Sequence, residues 1–168
     1  RQALEAGSTI TDFRKQFDKA VEDYGWTYNG KRGWRTRLIF DTNLRTSYMA
    51  GKWEQFQRVK NRRPYLQYLT VGDARVRPQH AEWHGMVLDV DDPWFDTHYP
   101  PNGWGCRCTV RSLSQRQMDR EGLKLGTAPA LNPTPRLNSD GELMGYVPIG
   151  IDVGWDYNVC LLYTSPSP

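Results

Sequence analysis

The central stretch of the chain, residues 77–111, reads RPQHAEWHGMVLDVDDPWFDTHYPPNGWGCRCTVR. It contains all three histidines, two of the three cysteines and a proline-rich corner, and helix-like sequence flanks it on both sides. Potential ligands and turn-forming residues at this density predict the place where distant segments of the chain meet. We therefore expect the remaining elements to support this stretch.

Two helices are predicted ahead of this stretch. In residues 9–24 the apolar side chains recur at three- and four-residue steps, which is the spacing of one helix face, and Gly25 suits the end of the helix. Residues 34–60 contain no proline and carry a second stripe at helical spacing, so they predict the longest helix. Pro64 ends it, because the residue before a proline is disfavoured in helical dihedrals.

Three short strands are predicted next. Residues 64–71 are rich in aromatic and β-branched residues, and residues 86–90 and 107–113 also read as strands. Residues 114–121 predict a short capped helix. Residues 91–105 read as an irregular loop, a length that is usually functional or held by ligands. Beyond Lys124 the prolines and glycines show no periodicity and predict an extended arm.

The predicted fold class is α+β. Two N-terminal helices, the second long and basic, pack on a small antiparallel sheet, and an extended Pro/Gly-rich arm follows. The corner at residues 100–105 is expected to close the sheet against the helices. Three tryptophans, Trp83, Trp94 and Trp104, are expected to contribute apolar area around that corner.

Several sequence motifs carry a family resemblance. In the central stretch they are His80 with Trp83, Gly85 and Val87, followed by YPPNGWGCRC at residues 99–108. Further motifs lie before and after it: GWTYNG at 25–30, WRTR at 34–37, NLRT at 43–46, RPY at 63–65 and GIDVGWDYN at 150–158. The chain thus resembles the Mu F-like head morphogenesis family, the minor head proteins of tailed bacteriophages. The resemblance covers most of the chain, and its motifs stand in the same order.

This resemblance implies a non-enzymatic function in phage head assembly. Members of the family are implied to associate with the portal protein and other capsid components inside the procapsid, and to contact DNA during packaging or ejection. The implied location is the virion, or the host cytoplasm during assembly. A domain at residues 1–125 is expected, with residues 126–159 as its extended arm or the start of a further segment.

The cysteines and histidines of the central stretch form a candidate zinc site. Thiolate and neutral imidazole are the ligands that zinc prefers, and a structural site needs four of them. Cys106 and Cys108 can converge from one side of a strand, joined by His80 and by His84 or His98. In the family pattern the position of His84 is commonly acidic, which favours His98. The alternative is that the cysteines are small buried apolar residues and the histidines hold hydrogen-bond networks.

Four aspartates, Asp89, Asp91, Asp92 and Asp96, offer oxygen ligands for a divalent cation. Their spacing matches no ordered carboxylate motif such as an EF-hand loop, so a solvated loop is the preferred interpretation.

A basic segment lies at residues 31–63, where ten basic residues stand against two acidic ones in a chain of net charge +3. It predicts contact with DNA phosphates or with an acidic protein surface, although a solvated basic face is an equal alternative. The candidate binding residues are Arg35, Arg37, Arg45, Lys52, Arg58, Lys60, Arg62 and Arg63.

Two other functions are weighed. One is a zinc-dependent hydrolase or nuclease, in which a metal with an open position activates water. The other is the delivery module of a larger polymorphic toxin. No G-x-S-x-G, H-E-x-x-H or phosphate-loop motif occurs, so the sequence predicts no enzyme.

Composition sets the remaining expectations. No run approaches the roughly 20 apolar residues that span a bilayer, so no membrane partner is predicted. The chain begins with Arg1, and we expect it to be a fragment of a longer protein. Residues 160–168, CLLYTSPSP, match the translation of a sequencing-library adapter, and we interpret them as read-through. The two cysteines left are too few for a disulfide framework.

Overall fold

The computed structural model describes residue 7 and residues 9–138 and 140–158. The predicted adapter tail at 160–168 lies outside the described residues. The chain divides into two compact units, Arg1–Arg45 and Thr46–Pro168. The predicted α+β class is confirmed, whereas the boundaries proposed at residues 125 and 159 remain predictions.

The first unit contains helix α1 (Ile10–Tyr24) and the start of helix α2 (Arg32–Val59). Thr9 caps α1 through a capping box with Asp12, and Gly25 ends it in the left-handed conformation. Phe13 of α1 packs on Phe40 of α2 with ring centroids 5.6 Å apart. Of the predicted helix face, Phe17 is buried, whereas Tyr24 at the end of the helix is 84% exposed.

The second unit is built on a three-stranded antiparallel sheet. Its strands are β1 (Tyr65–Leu69), β2 (Val87–Asp89) and β3 (Thr109–Leu113), in the order β2-β1-β3. Tyr65 lies opposite Asp89 on one side and Leu113 on the other. The three segments predicted as strands thus form the predicted sheet.

The core of the second unit lies between α2 and this sheet. Met49, Trp53 and Phe56 of α2 are buried in one cluster with Leu66 and Tyr68 of β1. The apolar stripe predicted for the long helix therefore faces the core. The same cluster takes in apolar residues from the central stretch, namely Trp83, Leu88, Val90, Trp94, Phe95, Tyr99, Cys106 and Cys108.

The proline-rich corner connects this core to the helix. The Tyr99 hydroxyl donates a hydrogen bond of 3.0 Å to the Met49 carbonyl of α2, and the Asn102 side-chain amide donates one of 3.0 Å to the Tyr68 hydroxyl. Trp83 and Trp94 are buried nearby. Trp104 differs from the prediction: its side chain is 48% exposed and its ring contacts Trp155 instead.

Short helices interrupt the segments between the strands. They are α3 (Pro78–Glu82), α4 (Phe95–His98) within the predicted loop, and α5 (Gln115–Glu121), the predicted capped helix. Helix α3 ends before His84, so His80 and His84, four residues apart in the chain, do not share a helix face. Gly85, with φ of +85°, follows directly and turns the chain into β2.

The Pro/Gly-rich arm contains a β-hairpin that the sequence did not predict. Strands β4 (Pro133–Leu137) and β5 (Leu143–Pro148) pair antiparallel, with Pro133 opposite Pro148. Three prolines in these strands and a bulge at Arg136 hide the alternation that marks a strand.

Among the described residues, no helix is long and apolar enough to cross a membrane.

Candidate metal centre

The structure brings together three of the four predicted metal ligands. His80 of α3 lies beside Cys106 and Cys108, and their ligand atoms all lie within 4.8 Å of one another. The Nδ1 atom of His80 is 3.4 Å from the Cys108 sulfur and 3.9 Å from the Cys106 sulfur. All three side chains are buried, with 2%, 7% and 3% exposure respectively.

Local structure explains this convergence. Pro78 opens α3, a position that suits its fixed φ, and His80 stacks on Trp83 with ring centroids 5.0 Å apart. Gly105, at φ of +69°, turns the chain between the corner and Cys106, whose amide donates to the Gly103 carbonyl at 3.2 Å. The two cysteines, separated by one residue, then lead into β3 on the same side.

A hydrogen bond to the backbone determines which nitrogen of His80 faces the sulfurs. The Nε2 atom lies 2.8 Å from the Gly150 carbonyl oxygen, which can only accept a hydrogen bond. In neutral imidazole the proton is therefore on Nε2. The lone pair of Nδ1 consequently points at Cys106 and Cys108, which is the orientation a metal ligand requires.

The electrostatics of the cluster favour thiolate. A hydrogen bond with the Cys108 side chain has the largest effect and lowers the pKa of Cys106, burial opposes it, and His80 lowers it further. The net result is a Cys106 pKa well below its usual value. Burial, followed by the nearby cysteine charges, raises the pKa of Tyr68.

Tyr68 and Asn102 form the inner wall of this site. The Tyr68 hydroxyl accepts from the Asn102 amide, and the side-chain oxygen Oδ1 of Asn102 is buried without a hydrogen-bond partner among the described residues. A small cavity of about 30 Å³ borders the cluster. Its lining includes His80 and both cysteines, together with Val71, Arg75, Val76, Arg77, Gly105 and Arg107.

His98 lies outside the cluster. Its ring stacks on Trp94 at 4.4 Å, and its Nδ1 atom is 2.6 Å from the Thr97 hydroxyl. Burial lowers the pKa of His98 from 6.5 to about 4, so the ring is neutral. His84 also lies elsewhere, with its Nδ1 atom accepting the Thr70 amide at 3.0 Å.

Three of the four aspartates make contacts with backbone amides or with a lysine. Asp89 and Asp92 each accept a backbone amide two residues further on, and Asp91 pairs with Lys60 at 2.9 Å. Among the described residues, the side chains placed closely enough to bind a metal ion are His80, Cys106 and Cys108, and none of these carboxylates joins them. The preferred interpretation of a solvated loop stays a prediction.

The predicted binding residues of the basic segment fall into three groups. Three pair with carboxylates: Arg37 with Asp41, Arg58 with Glu54 and Lys60 with Asp91. Three donate to neutral groups: Arg35 to the Asn29 carbonyl, Lys52 to the Val110 carbonyl and Arg63 to the Ser112 hydroxyl. Two, Arg45 and Arg62, make no side-chain hydrogen bond or ion pair with the part of the chain that the structure describes.

Sequence reasoning missed three residues around the cluster: Tyr68, Asn102 and Gly150. The run containing Gly150 stood out as a family motif, but nothing in its composition linked it to a histidine seventy positions earlier. Asn102 stood in the conspicuous corner, where it read as a turn residue. Tyr68 read as one of several aromatic strand residues. Each acquires its role through a long-range contact.

The chain belongs to the family described as Phage Mu protein F like protein, which matches residues 1–111. It is 40% identical to the "Putative capsid assembly protein F" of Escherichia phage Mu, over 94% of this chain and 42% of that protein. It is 33% identical to the Mu-like prophage FluMu F protein of Haemophilus influenzae, over 90% of this chain and 36% of that protein. The chain thus spans less than half the length of these relatives. No solved structure matches it.

Proposed function

We propose that this chain is a segment of a phage minor head protein that acts in capsid assembly. The observation that carries the proposal is family membership over residues 1–111, together with similarity to a relative named for capsid assembly. The role is one of assembly and not of catalysis, in the virion and in the host cytoplasm while heads form. Its partners are the portal protein and other head components, and DNA during packaging or ejection.

The basic segment supports contact with DNA or with an acidic protein surface. Ion pairs neutralise three of its eight candidate residues, so its available charge is smaller than the sequence count suggests. Arg45 and Arg62 keep their full charge for a partner. Arg45 and Arg62 could bind phosphate without first breaking an ion pair or a hydrogen bond.

The hairpin supports a role in a larger assembly. Its strands leave four large apolar side chains more than half exposed: Leu137, Leu143, Met144 and Tyr146. Exposed apolar residues concentrated on one small element indicate a surface that another molecule covers. We propose that a neighbouring head component covers the hairpin.

A chimaeric phage tests the capsid assembly role. The matching segment of the phage Mu F protein is replaced by this chain in an inducible lysogen, and DNA-filled heads are counted by electron microscopy. A lysogen lacking that segment is the control. We expect heads from the chimaera and few from the deletion. A soluble chimaera that yields no more heads than the deletion would contradict the proposal.

Cross-linking tests the portal contact. Amine-reactive cross-linking of chimaeric heads, read by mass spectrometry, is expected to join Lys52 or Lys60 to the portal protein. Links only to other head proteins would remove the portal from the list of partners.

Salt-dependent binding tests the DNA contact. We expect binding of a labelled duplex to weaken in the Arg45→Gln/Arg62→Gln variant, with the salt slope of log affinity reduced by about two. The Arg116→Gln/Lys124→Gln variant, which removes two exposed charges outside the segment, should bind like the original chain. Equal loss in both variants would show that only net charge matters.

A further inference from the structure

We propose that His80, Cys106 and Cys108 bind one zinc ion, with His80 binding through Nδ1 and a water molecule in the fourth position. The proposal rests on the geometry of these side chains and is independent of the role in head assembly.

The distances within the cluster fit tetrahedral zinc. Zinc bonds of about 2.3 Å to sulfur and 2.1 Å to nitrogen place a nitrogen and a sulfur ligand about 3.6 Å apart. The two Nδ1–sulfur distances of 3.4 and 3.9 Å bracket this value. An ion between the three side chains therefore requires these two nitrogen–sulfur distances to change by only a few tenths of an ångström.

The surroundings orient His80 as a metal ligand is usually oriented. Metal-binding histidines donate their second ring N–H to a carboxylate or a backbone carbonyl, which fixes the tautomer and the ring plane. The Nε2–Gly150 hydrogen bond of 2.8 Å supplies this support, and the Trp83 ring stacked on the imidazole restricts its rotation. Nδ1 is thereby held in a position to bind.

Charge balance also favours a doubly charged cation. Two buried thiolates without a cation are costly, and one imidazolium neutralises only one of them. Zn²⁺ with two thiolates and a neutral imidazole has no net charge and uses all three ligand atoms.

The cavity beside the cluster accounts for the fourth position. Its volume of about 30 Å³ exceeds the roughly 10–15 Å³ that one water molecule needs, so it has room for water. Among the described residues, no other cysteine, histidine or carboxylate joins the three ligand atoms. The arginines that line the cavity are each paired with a carboxylate, Arg75 and Arg107 with Asp73 and Arg77 with Asp152.

The metal would join three separate parts of the second unit. His80 belongs to α3, the cysteines lead into β3, and Gly150 follows the hairpin. A zinc ion at this point would cross-link these segments, as a disulfide does in other small cores. In the proposal the ion therefore stabilises this unit as a cross-link, and the water in its fourth position is the open position that the hydrolase alternative would use.

Metal analysis of the full chain tests the proposal. After expression in zinc-supplemented medium and gel filtration, elemental mass spectrometry is expected to find one zinc per chain. The Cys106→Ser, Cys108→Ser and His80→Gln variants should lose it. The second set is the matched control His84→Gln, which changes a histidine outside the cluster and should keep it. Zinc retained in the first set, or lost equally in the second, would overturn the proposal.

Cobalt spectroscopy keeps the test decisive if a variant fails to fold. The unaltered chain is stripped of metal, loaded with Co²⁺ and measured by absorption. We expect intense visible bands of tetrahedral cobalt and a charge-transfer band whose intensity corresponds to two thiolates. A pale octahedral spectrum without charge transfer, together with no zinc in the purified chain, would overturn the site.

Discussion

The Nε2 atom of His80 lies 2.8 Å from the carbonyl oxygen of Gly150, seventy residues further along the chain. This hydrogen bond links the only histidine of the candidate metal centre, among the described residues, to the segment that follows the hairpin. It assigns the ring tautomer and therefore directs the lone pair of Nδ1 towards the two cysteines. The metal centre and the C-terminal segment are coupled through one side chain.

Metal removal is expected to destabilise the protein. Because zinc would bind the folded chain and hold three segments together, a chelator should lower the free energy of unfolding by about 4 kcal/mol when free zinc had stood a thousandfold above its dissociation constant. Urea unfolding with and without chelator measures this difference. The Cys106→Ser/Cys108→Ser variant is the control, since chelator should leave its midpoint unchanged. An equal midpoint for the original chain under both conditions would contradict a stabilising metal.

Replacement of Gly150 by alanine is expected to weaken the same region. Gly150 has φ of +83°, and an added Cβ would lie 2.6 Å from the Trp83 ring. Gly154 has φ of +78° but open space around it, so Gly154→Ala shares the backbone strain without the clash. We expect Gly150→Ala to lower the free energy of unfolding by about 1–3 kcal/mol more than Gly154→Ala does. Equal losses would show that the Trp83 ring moves aside freely.

Replacement of Gly51 by alanine is expected to have the opposite effect. Gly51 lies inside α2, and an added Cβ would meet nothing within 4 Å. Alanine removes the entropic cost of glycine in a helix, so the free energy of unfolding should rise by about 1 kcal/mol. Thermal and urea unfolding measure it. If the chimaeric phage carrying Gly51→Ala assembled fewer heads despite greater stability, a partner would approach this part of the helix closely.

Acid is expected to destabilise the fold through His98. Its pKa is lowered from 6.5 to about 4 in the folded protein, so the unfolded chain binds a proton first as the pH falls. Stability should therefore decrease between pH 6.5 and about 4, by on the order of 3 kcal/mol, and level off below. Urea unfolding of the His98→Gln variant should show a smaller decrease across this window. The His84→Gln variant should retain the full decrease.

Polar substitutions on the hairpin are expected to separate stability from assembly. Met144 and Tyr146 are 70% and 62% exposed, so Met144→Ser/Tyr146→Ser should change the free energy of unfolding by only about 0.5 kcal/mol per site. In the chimaeric phage the same pair should lower the yield of heads, because a partner surface is lost. Leu125→Ser, exposed but outside the hairpin, is the control. Normal head yield from the double variant would contradict a partner at the hairpin.

Periodicity and turn chemistry were sufficient to predict much of the fold. The stripe on α2 predicted that Met49, Trp53 and Phe56 are buried, because a helix folded against a core must repeat its apolar side chains every three or four residues. Apolar segments bounded by turn residues predicted the strands around Tyr68 and Val110 for a similar local reason. The hairpin escaped prediction, since its prolines obscure the alternation and only the pairing of β4 with β5 reveals the strands.

The candidate site shows the same division more sharply. The sequence by itself determined the two helices and the strands, because a helix or strand depends on residues that are close in the chain. It also showed a cysteine pair near three histidines. Tertiary structure decided that His80 joins the cysteines, while His98 stacks on Trp94 and His84 binds Thr70. It also decided that Asp91 neutralises Lys60. Contacts between residues far apart in the chain depend on how the elements pack, and the spacing of residues along one segment does not specify that packing.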